Sequence, residues 1–139
     1  MPPTLEDYEA FVYDVPNQFS SVQYAVINFI RLEPLTAVLR AEIYFEHDIM
    51  LRLREALDFD EGFIQSYSYE VYQGDEKLYW YDSWPHPHIP ELADTDPHHK
   101  HLPPDIKHNR VPAPNLSFDQ PNIPFLIHEI ELTLLSRQS

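Results

Sequence analysis

The 139-residue sequence contains no cysteine, which excludes disulfide bonds, thiolate nucleophiles and cysteine-ligated zinc sites. Glycine is nearly as scarce, since only two are present, so turns must rely on proline, aspartate and asparagine. No apolar run approaches the roughly 18 residues that a membrane span needs, and the first residues lack the basic and apolar regions of a secretion signal. We therefore expect a soluble, cytoplasmic protein that makes no membrane contact.

Positive charge is also in short supply, because nine Lys and Arg face 23 Asp and Glu, giving a formal net charge of −14. Proteins that bind nucleic acid gain affinity by neutralising phosphates with their own cations. The charge balance therefore argues against broad, non-specific binding of DNA or RNA, although it leaves a small local site open. No glycine-rich phosphate loop or dinucleotide fingerprint occurs either, and we expect no cofactor.

Proline, by contrast, is abundant and unevenly placed: ten of the fourteen prolines lie between Pro85 and Pro124. The composition changes near Trp84, from a regular body to a segment that we expect to be neither helical nor a central strand. A chain of this length suits one hydrophobic core. We predict a single domain over residues 1–139, with a helix and sheet in 1–84, a Pro/His-rich irregular segment in 85–121 and a terminal helix in 122–139.

The body of the chain predicts one helix followed by a meander. Residues 4–15 begin with Thr4 and Asp7 as a capping box and continue with apolar residues at helical spacing, ending near Pro16. From Tyr24 onward the apolar residues alternate, as expected of half-buried strands, and short turns separate the runs. Consecutive strands joined by short turns are antiparallel neighbours. We predict about five strands, in residues 24–33, 36–46, 48–59, 63–72 and 76–84.

The sheet needs a cover, which the first helix and a second one over Ile123 to Leu135 can provide. The second helix would start at Asn122 and Pro124, as cap and first-turn residues. The alternation in its second half leaves a strand open as the alternative. With a helix or a strand in this place the fold class is α+β, and we predict an antiparallel meander with an N-terminal and a C-terminal helix and a Pro/His-rich loop. The apolar contributors of this segment are Phe125, Ile127, Ile130, Leu132 and Leu134.

Six of the eight histidines lie between Trp84 and Arg110, beside Lys100 and Lys107. Histidine changes charge between pH 5 and 8, so a cluster of it can transfer protons. One imidazole can act as general base and a protonated one as general acid, while Lys100 stabilises charge on a phosphoryl oxygen and Asp82 orients an imidazole. These are the parts of a metal-independent ribonuclease. The candidate catalytic residues are His98, His99, Lys100 and His101, with Asp82 and His86 in support.

Two other interpretations use the same histidines. His86 and His88, or His99 and His101, could bind a divalent metal with nearby carboxylates, but the spacing matches no established zinc pattern, and we predict no metal site. The plainer interpretation is that these histidines hydrogen-bond backbone carbonyls and hold the loop against the sheet. Similarly, Arg52 and Arg54 could grip a phosphate, although a solvated strand face explains them as well.

A family resemblance emerges from the run between Leu35 and His101. Its successive strands, YSYEVY at 67–72, YDSWPHPHIPEL at 81–92 and above all PHHKH at 97–101 resemble the TumE family, toxin components of prokaryotic toxin–antitoxin systems. The resemblance covers roughly two thirds of the chain and implies an antiparallel sheet, a proline-rich histidine loop and a terminal helix. It also implies a cognate antitoxin as partner.

Two functions of different class follow. The first is a TumE-like toxin that acts on RNA or another phosphate-containing target through the histidine and lysine cluster. The second is a non-catalytic interaction protein whose acidic surface and Pro/His-rich loop bind a basic partner. Homo-oligomer formation is compatible with both.

Overall fold

The structure is a computed structural model that describes residues 2–83, 99–102, 110–113 and 115–136. Its elements include two helices, seven strands and a further helix that continues into a π-helical segment. In chain order they are α1 (Leu5–Tyr13), α2 (Val15–Gln18), β1 (Tyr24–Glu33), β2 (Thr36–Tyr44), β3 (Ile49–Asp58), β4 (Ile64–Gln73), β5 (Glu76–Asp82), β6 (His99–His101), β7 (Arg110–Pro112), α3 (Ile123–Ile130) and the π-helical segment Glu131–Leu135.

The strands form one antiparallel sheet in the order β1-β2-β3-β4-β5-β6-β7, so the predicted α+β meander is confirmed. The expected count of about five strands is too low, because β6 and β7 extend the sheet beyond β5. Both lie in the segment that the sequence predicted to be irregular. Each is three residues long, which is too short to produce a visible alternation.

Tight turns set the register of the meander. His47 and Asp48 both have positive φ, 64° and 61°, in the turn between β2 and β3. Turns with two such residues match the twist of the strands they join, and Asp and His tolerate this conformation better than most residues. Gly74, with φ 58°, serves the turn between β4 and β5. The predicted turns at both places are confirmed.

Alternation along the strands separates the sheet into two faces. In β3, Ile49, Leu51, Leu53 and Leu57 are buried, while Arg52 and Arg54 are exposed. The buried face packs against the helices, since the side chains of Leu5, Tyr8 and Val12 in α1 are also almost completely buried. We call this side the helix face and the opposite side the open face. Burial on the helix face supplies most of the stabilisation of such a domain.

The N-terminal helix begins as predicted. The Thr4 side chain accepts a hydrogen bond from the backbone N–H of Asp7 at 3.1 Å. The helix ends earlier than expected, at Tyr13, and Pro16 lies within the short second helix rather than after the first. Proline is compatible with that place because the first turn of a helix has unpaired N–H groups in any case.

The terminal segment is helical, so the strand alternative for it is wrong. Ile123, Ile127 and Ile130 are buried against the sheet, as expected of the apolar face of α3. Leu132 is 61% exposed, which corrects its predicted role in the core. The change to π-helical geometry at Glu131 rotates the following residues away from the positions that an α-helix would give them.

Candidate functional site on the open face of the sheet

The open face contains a cavity of about 420 Å³, lined by strands β1 to β4. A second cavity of about 360 Å³ adjoins it and shares Arg54 and Ser68 in its lining. Together they form a depression along the middle of the sheet, lined by both polar and apolar side chains. Sites for ligands are commonly concave surfaces with a few polar groups in fixed positions.

A row of polar side chains crosses the open face. Strand pairing places Asn28 opposite Arg40, Arg40 opposite Arg54, Arg54 opposite Ser68 and Ser68 opposite Asp82. Residues that are directly opposite one another on neighbouring strands point to the same face. We call these five residues the polar row. The row crosses the five strands β1 to β5. Because neighbouring strands are about 4.8 Å apart, Arg54 in β3 lies about 10 Å from Asp82 in β5.

Arg40 and Arg54 are the notable members of this row. Both are exposed, and within the described parts of the chain neither guanidinium has a hydrogen-bond or ion-pair partner. Like charges directly opposite each other on adjacent strands are destabilising. The sequence suggested Arg52 and Arg54 as a phosphate grip, but the structure brings Arg54 next to Arg40, while Arg52 is ion-paired with Glu42 at 3.2 Å.

At the end of the polar row, Asp82 is paired with a histidine. Its Oδ2 lies 3.0 Å from Nε2 of His101, and the imidazole packs edge-on against the Trp80 indole at 4.6 Å. The three side chains share the open face because Trp80 is directly opposite His101 in the β5–β6 register. The Asp82 side chain is 16% exposed, whereas His101 is completely buried. Asp82 is therefore the end of the pair that a ligand can reach.

The structure does not place all of the other candidate catalytic residues beside Asp82 and His101. Lys100 follows the alternation of β6 and points to the helix face, where its Nζ lies 3.1 Å from Glu129 of α3 and 4.3 Å from the Tyr79 ring centroid. Lys100 and His101 are thus on opposite sides of the sheet. The backbone of His99 lies opposite Asp82 in β6, but its side chain lies outside the described part of the chain. His86 and His98 also lie outside it.

The Lys100 contact belongs to a small polar cluster beneath the sheet. The Tyr81 hydroxyl donates to both carboxylate oxygens of Glu129, at 2.9 Å and 2.8 Å. Burial, reinforced by the Glu129 charge, raises the pKa of Tyr79 and of Tyr81 well above the usual phenol range. Both phenols stay protonated, and the cluster joins β5 and β6 to α3.

Sequence reasoning missed a second buried polar group, Glu55 in β3. Its carboxylate is wholly buried on the helix face and accepts hydrogen bonds from the hydroxyls of Tyr8 and Tyr69, each at 2.5 Å. Asn122 donates to the Tyr69 oxygen at 3.0 Å and so links the network to α3. Burial raises the pKa of Glu55, and the two tyrosine hydrogen bonds oppose that rise. Alternation with Leu51, Leu53 and Leu57 was the signal that placed it inward.

The described residues contain no group of three or more His, Cys, Asp or Glu side chains arranged to hold a metal ion. Three carboxylates near the histidine pairs in sequence lie outside this part of the chain, namely Glu91, Asp94 and Asp96. Over the described ranges, no helix has the length and apolar character needed to cross a membrane.

Comparison with known proteins identifies a family. Residues 12–133 are similar to the family described as Toxin TumE. No curated protein and no solved structure matches the chain. The matched range includes the whole sheet, the Asp82 and His101 pair and α3.

Proposed function

The chain belongs to the TumE toxin family, and from this premise we propose that it is a toxin that cleaves RNA without a metal ion, at Asp82. Membership of a toxin family implies an antitoxin that neutralises it, as the sequence resemblance also predicted. The finer assignment, RNA cleavage, is our own inference from the open face of the sheet.

The observation that carries this proposal is the 3.0 Å contact between Asp82 Oδ2 and His101 Nε2 at the end of the polar row. A carboxylate fixed by an imidazole and partly accessible to a ligand can accept a proton from a hydroxyl group. In RNA that hydroxyl is the ribose 2′-OH. On losing its proton to Asp82, the 2′ oxygen attacks the adjacent phosphorus, and the bond from phosphorus to the 5′ oxygen breaks.

The leaving 5′ oxygen must receive a proton, which a protonated imidazole can supply. The products are then a 2′,3′-cyclic phosphate and a 5′-hydroxyl. His86, His98 and His99 are the candidates for this acid, as the sequence suggested. His101 is completely buried, so we assign it the role of a positioning residue that holds Asp82, rather than contact with RNA. Lys100 faces Glu129, and we assign it a structural role.

Expression without antitoxin tests the proposal. The wild type should arrest growth and fragment RNA, leaving cyclic phosphate ends. Asp82→Asn should reduce the cleavage rate by about 10²- to 10⁴-fold, the usual contribution of a general base. His101→Gln should also reduce it and displace the pH profile, because the imidazole no longer holds the carboxylate.

The matched control is His128→Gln, since this histidine is 69% exposed on α3 and pairs only with Glu131 within the described residues. It should leave growth arrest intact. Urea unfolding of each variant separates loss of activity from loss of fold. Growth arrest that persists in folded Asp82→Asn, with RNA intact, would contradict the proposal.

The burial of His101 supports a second candidate function. A completely buried imidazole paired with a carboxylate can also serve only to anchor β6 against β5. In that case the protein would act by binding, as the alternative interaction-protein hypothesis states, and its acidic surface would contact a basic partner. Toxicity that is independent of Asp82 and accompanied by stable capture of one cellular protein would favour this candidate.

A further inference from the structure

We propose that Arg40 and Arg54 form a binding site for the backbone phosphates of single-stranded RNA, separate from the reacting position at Asp82. The inference rests on the proposed function, because it describes how the same open face would hold its substrate. It is carried by the pairing of the two arginines on neighbouring strands and by their lack of partners in the described structure.

The other cations show how unusual this pair is. The structure describes six cationic side chains, and the four besides Arg40 and Arg54 are each within 3.2 Å of a glutamate oxygen. The chain has 23 acidic residues, so carboxylates to pair the last two are abundant. Glu42 and Glu70 line the same cavity, but they are ion-paired with Arg52 and Lys77. Two neighbouring guanidinium groups that repel each other and have no ion-paired carboxylate in the described structure indicate an anionic ligand that is not part of the chain. The four paired cations are Arg31, Arg52, Lys77 and Lys100.

Arginine is suited to phosphate because its planar guanidinium can donate two parallel hydrogen bonds to one phosphate group. Asn28 and Ser68 flank the pair on either side and add neutral donors along the same line. Both cavities on the open face reach Arg54, so a ligand can approach it from above the sheet. The row therefore contains the donors that a phosphate backbone needs.

Distance selects a polynucleotide rather than a single nucleotide. A phosphate held at Arg54 lies about 10 Å from a group reacting at Asp82, given strands about 4.8 Å apart. That separation corresponds to about three stacked nucleotides at 3.4 Å each. The phosphate bound by the arginines is therefore a different phosphate from the scissile one, about three nucleotides away along the same strand.

Net charge favours a single strand over a duplex. The chain carries a formal charge of −14, so a wide polyanion that extends beyond the row would be repelled by the acidic protein as a whole. A single strand lying along the row presents its phosphates to the arginines and little else to the remaining surface. This reconciles a local anion site with the adverse overall charge.

Salt dependence of binding provides the test. The probe is a fluorescent 12-nucleotide single strand of 2′-O-methyl RNA, which lacks the 2′-OH nucleophile and stays intact. Each phosphate contact adds about 0.7 to the slope of log K against log salt for single strands. Arg40→Gln and Arg54→Gln should each lower the slope magnitude by about 0.7 and weaken binding about tenfold at low salt. Arg54→Lys should keep the slope and lose affinity, because only the fork geometry changes.

The control is Arg31→Gln, since Arg31 is paired with Glu9 and does not belong to the polar row. Its slope should match the wild type.

The urea midpoints of Arg40→Gln and Arg54→Gln should be equal to or above that of wild type, because the substitution relieves the repulsion. An unchanged slope in both folded variants, or an equal loss in Arg31→Gln, would overturn the inference. So would weaker binding to the antitoxin with unaltered RNA binding, since the arginines would then serve an acidic protein.

The experiment separates this inference from the proposed cleavage. Binding of the uncleavable strand does not depend on the chemistry at Asp82. If Asp82→Asn leaves RNA cleavage intact while the arginine variants lose binding, the cleavage proposal fails and the phosphate site stands. If Asp82→Asn abolishes cleavage while the arginine variants bind normally, the phosphate site fails and the cleavage proposal stands.

Discussion

Removal of one hydroxyl, in Tyr8→Phe, tests the network around Glu55 more directly than any change to the carboxylate. The phenol ring packs against Phe11 and Phe63, with centroids 6.1 Å and 4.7 Å away, and the substitution keeps that packing. What is lost is the hydroxyl that donates to Glu55 at 2.5 Å. Tyr69 is then the remaining hydroxyl donor to the carboxylate within the described network.

The expected cost follows from burial. The Tyr8 side chain is 1% exposed and Glu55 is completely buried, so water cannot replace the lost donor. Removing one partner of a buried hydrogen bond costs roughly 1–3 kcal/mol of the free energy of unfolding, because the other partner is left unsatisfied. We expect a loss of about 2 kcal/mol at pH 7, which lowers Tm by roughly 8 °C for a domain of this size.

Urea unfolding followed by circular dichroism measures this loss. The matched control is Tyr13→Phe, because Tyr13 is 50% exposed and, among the described residues, its hydroxyl only accepts a hydrogen bond from the N–H of Phe29 at 3.3 Å. That change should cost less than about 0.5 kcal/mol. In a Glu55→Gln background, Tyr8→Phe should cost less than in wild type, since both substitutions remove parts of the same hydrogen bond. A cost for Tyr8→Phe no larger than that of the control would refute the reasoning.

Three further changes test the buried polar groups. The pKa of Glu55 is raised, so the folded state binds the Glu55 proton more tightly than the unfolded state does. The free energy of unfolding should therefore fall as pH rises from about 4.5 through the raised pKa. Glu55→Gln should remove that fall in urea titrations between about pH 4 and 8. Lys100→Met should lower the free energy of unfolding by about 1 kcal/mol through loss of the Glu129 contact, yet leave the rate of the proposed RNA cleavage within about threefold. A loss of about 10²-fold would instead assign Lys100 a catalytic role. Asn122→Ala removes the donor to the Tyr69 oxygen and should cost about 2 kcal/mol by thermal unfolding, and a change within 0.5 kcal/mol would contradict the network.

The meander could be predicted from the sequence because side-chain alternation is a local property. Residues such as Val38, Arg40 and Glu42 share a face in any β-strand, and the turn at His47 and Asp48 fixes how β2 pairs with β3. The same rule gives the pairing of Arg40 with Arg54 once the turn is known. That contact was within reach of sequence reasoning, but the arginines were considered along one strand rather than across two.

The site itself could be predicted only in part. Asp82 was expected to orient an imidazole, and the structure places it against His101. Which histidine it would meet depends on the pairing of β6 with β5, and proline-rich sequence between the two strands carries no periodic signal for that register. The same register sends Lys100 to the opposite face. Grouping residues by closeness in sequence failed here because neighbours in a strand point apart.

Strand β6 has a consequence for how the molecule opens. It is three residues long, yet Lys100 attaches it to α3 below the sheet and His101 attaches it to Asp82 above. Detaching this strand breaks both contacts in one event, so docking of the last helix and integrity of the Asp82 environment are thermodynamically linked. Hydrogen exchange should therefore assign the amides of β6 and α3 a common opening free energy, below that of the β2 to β4 interior.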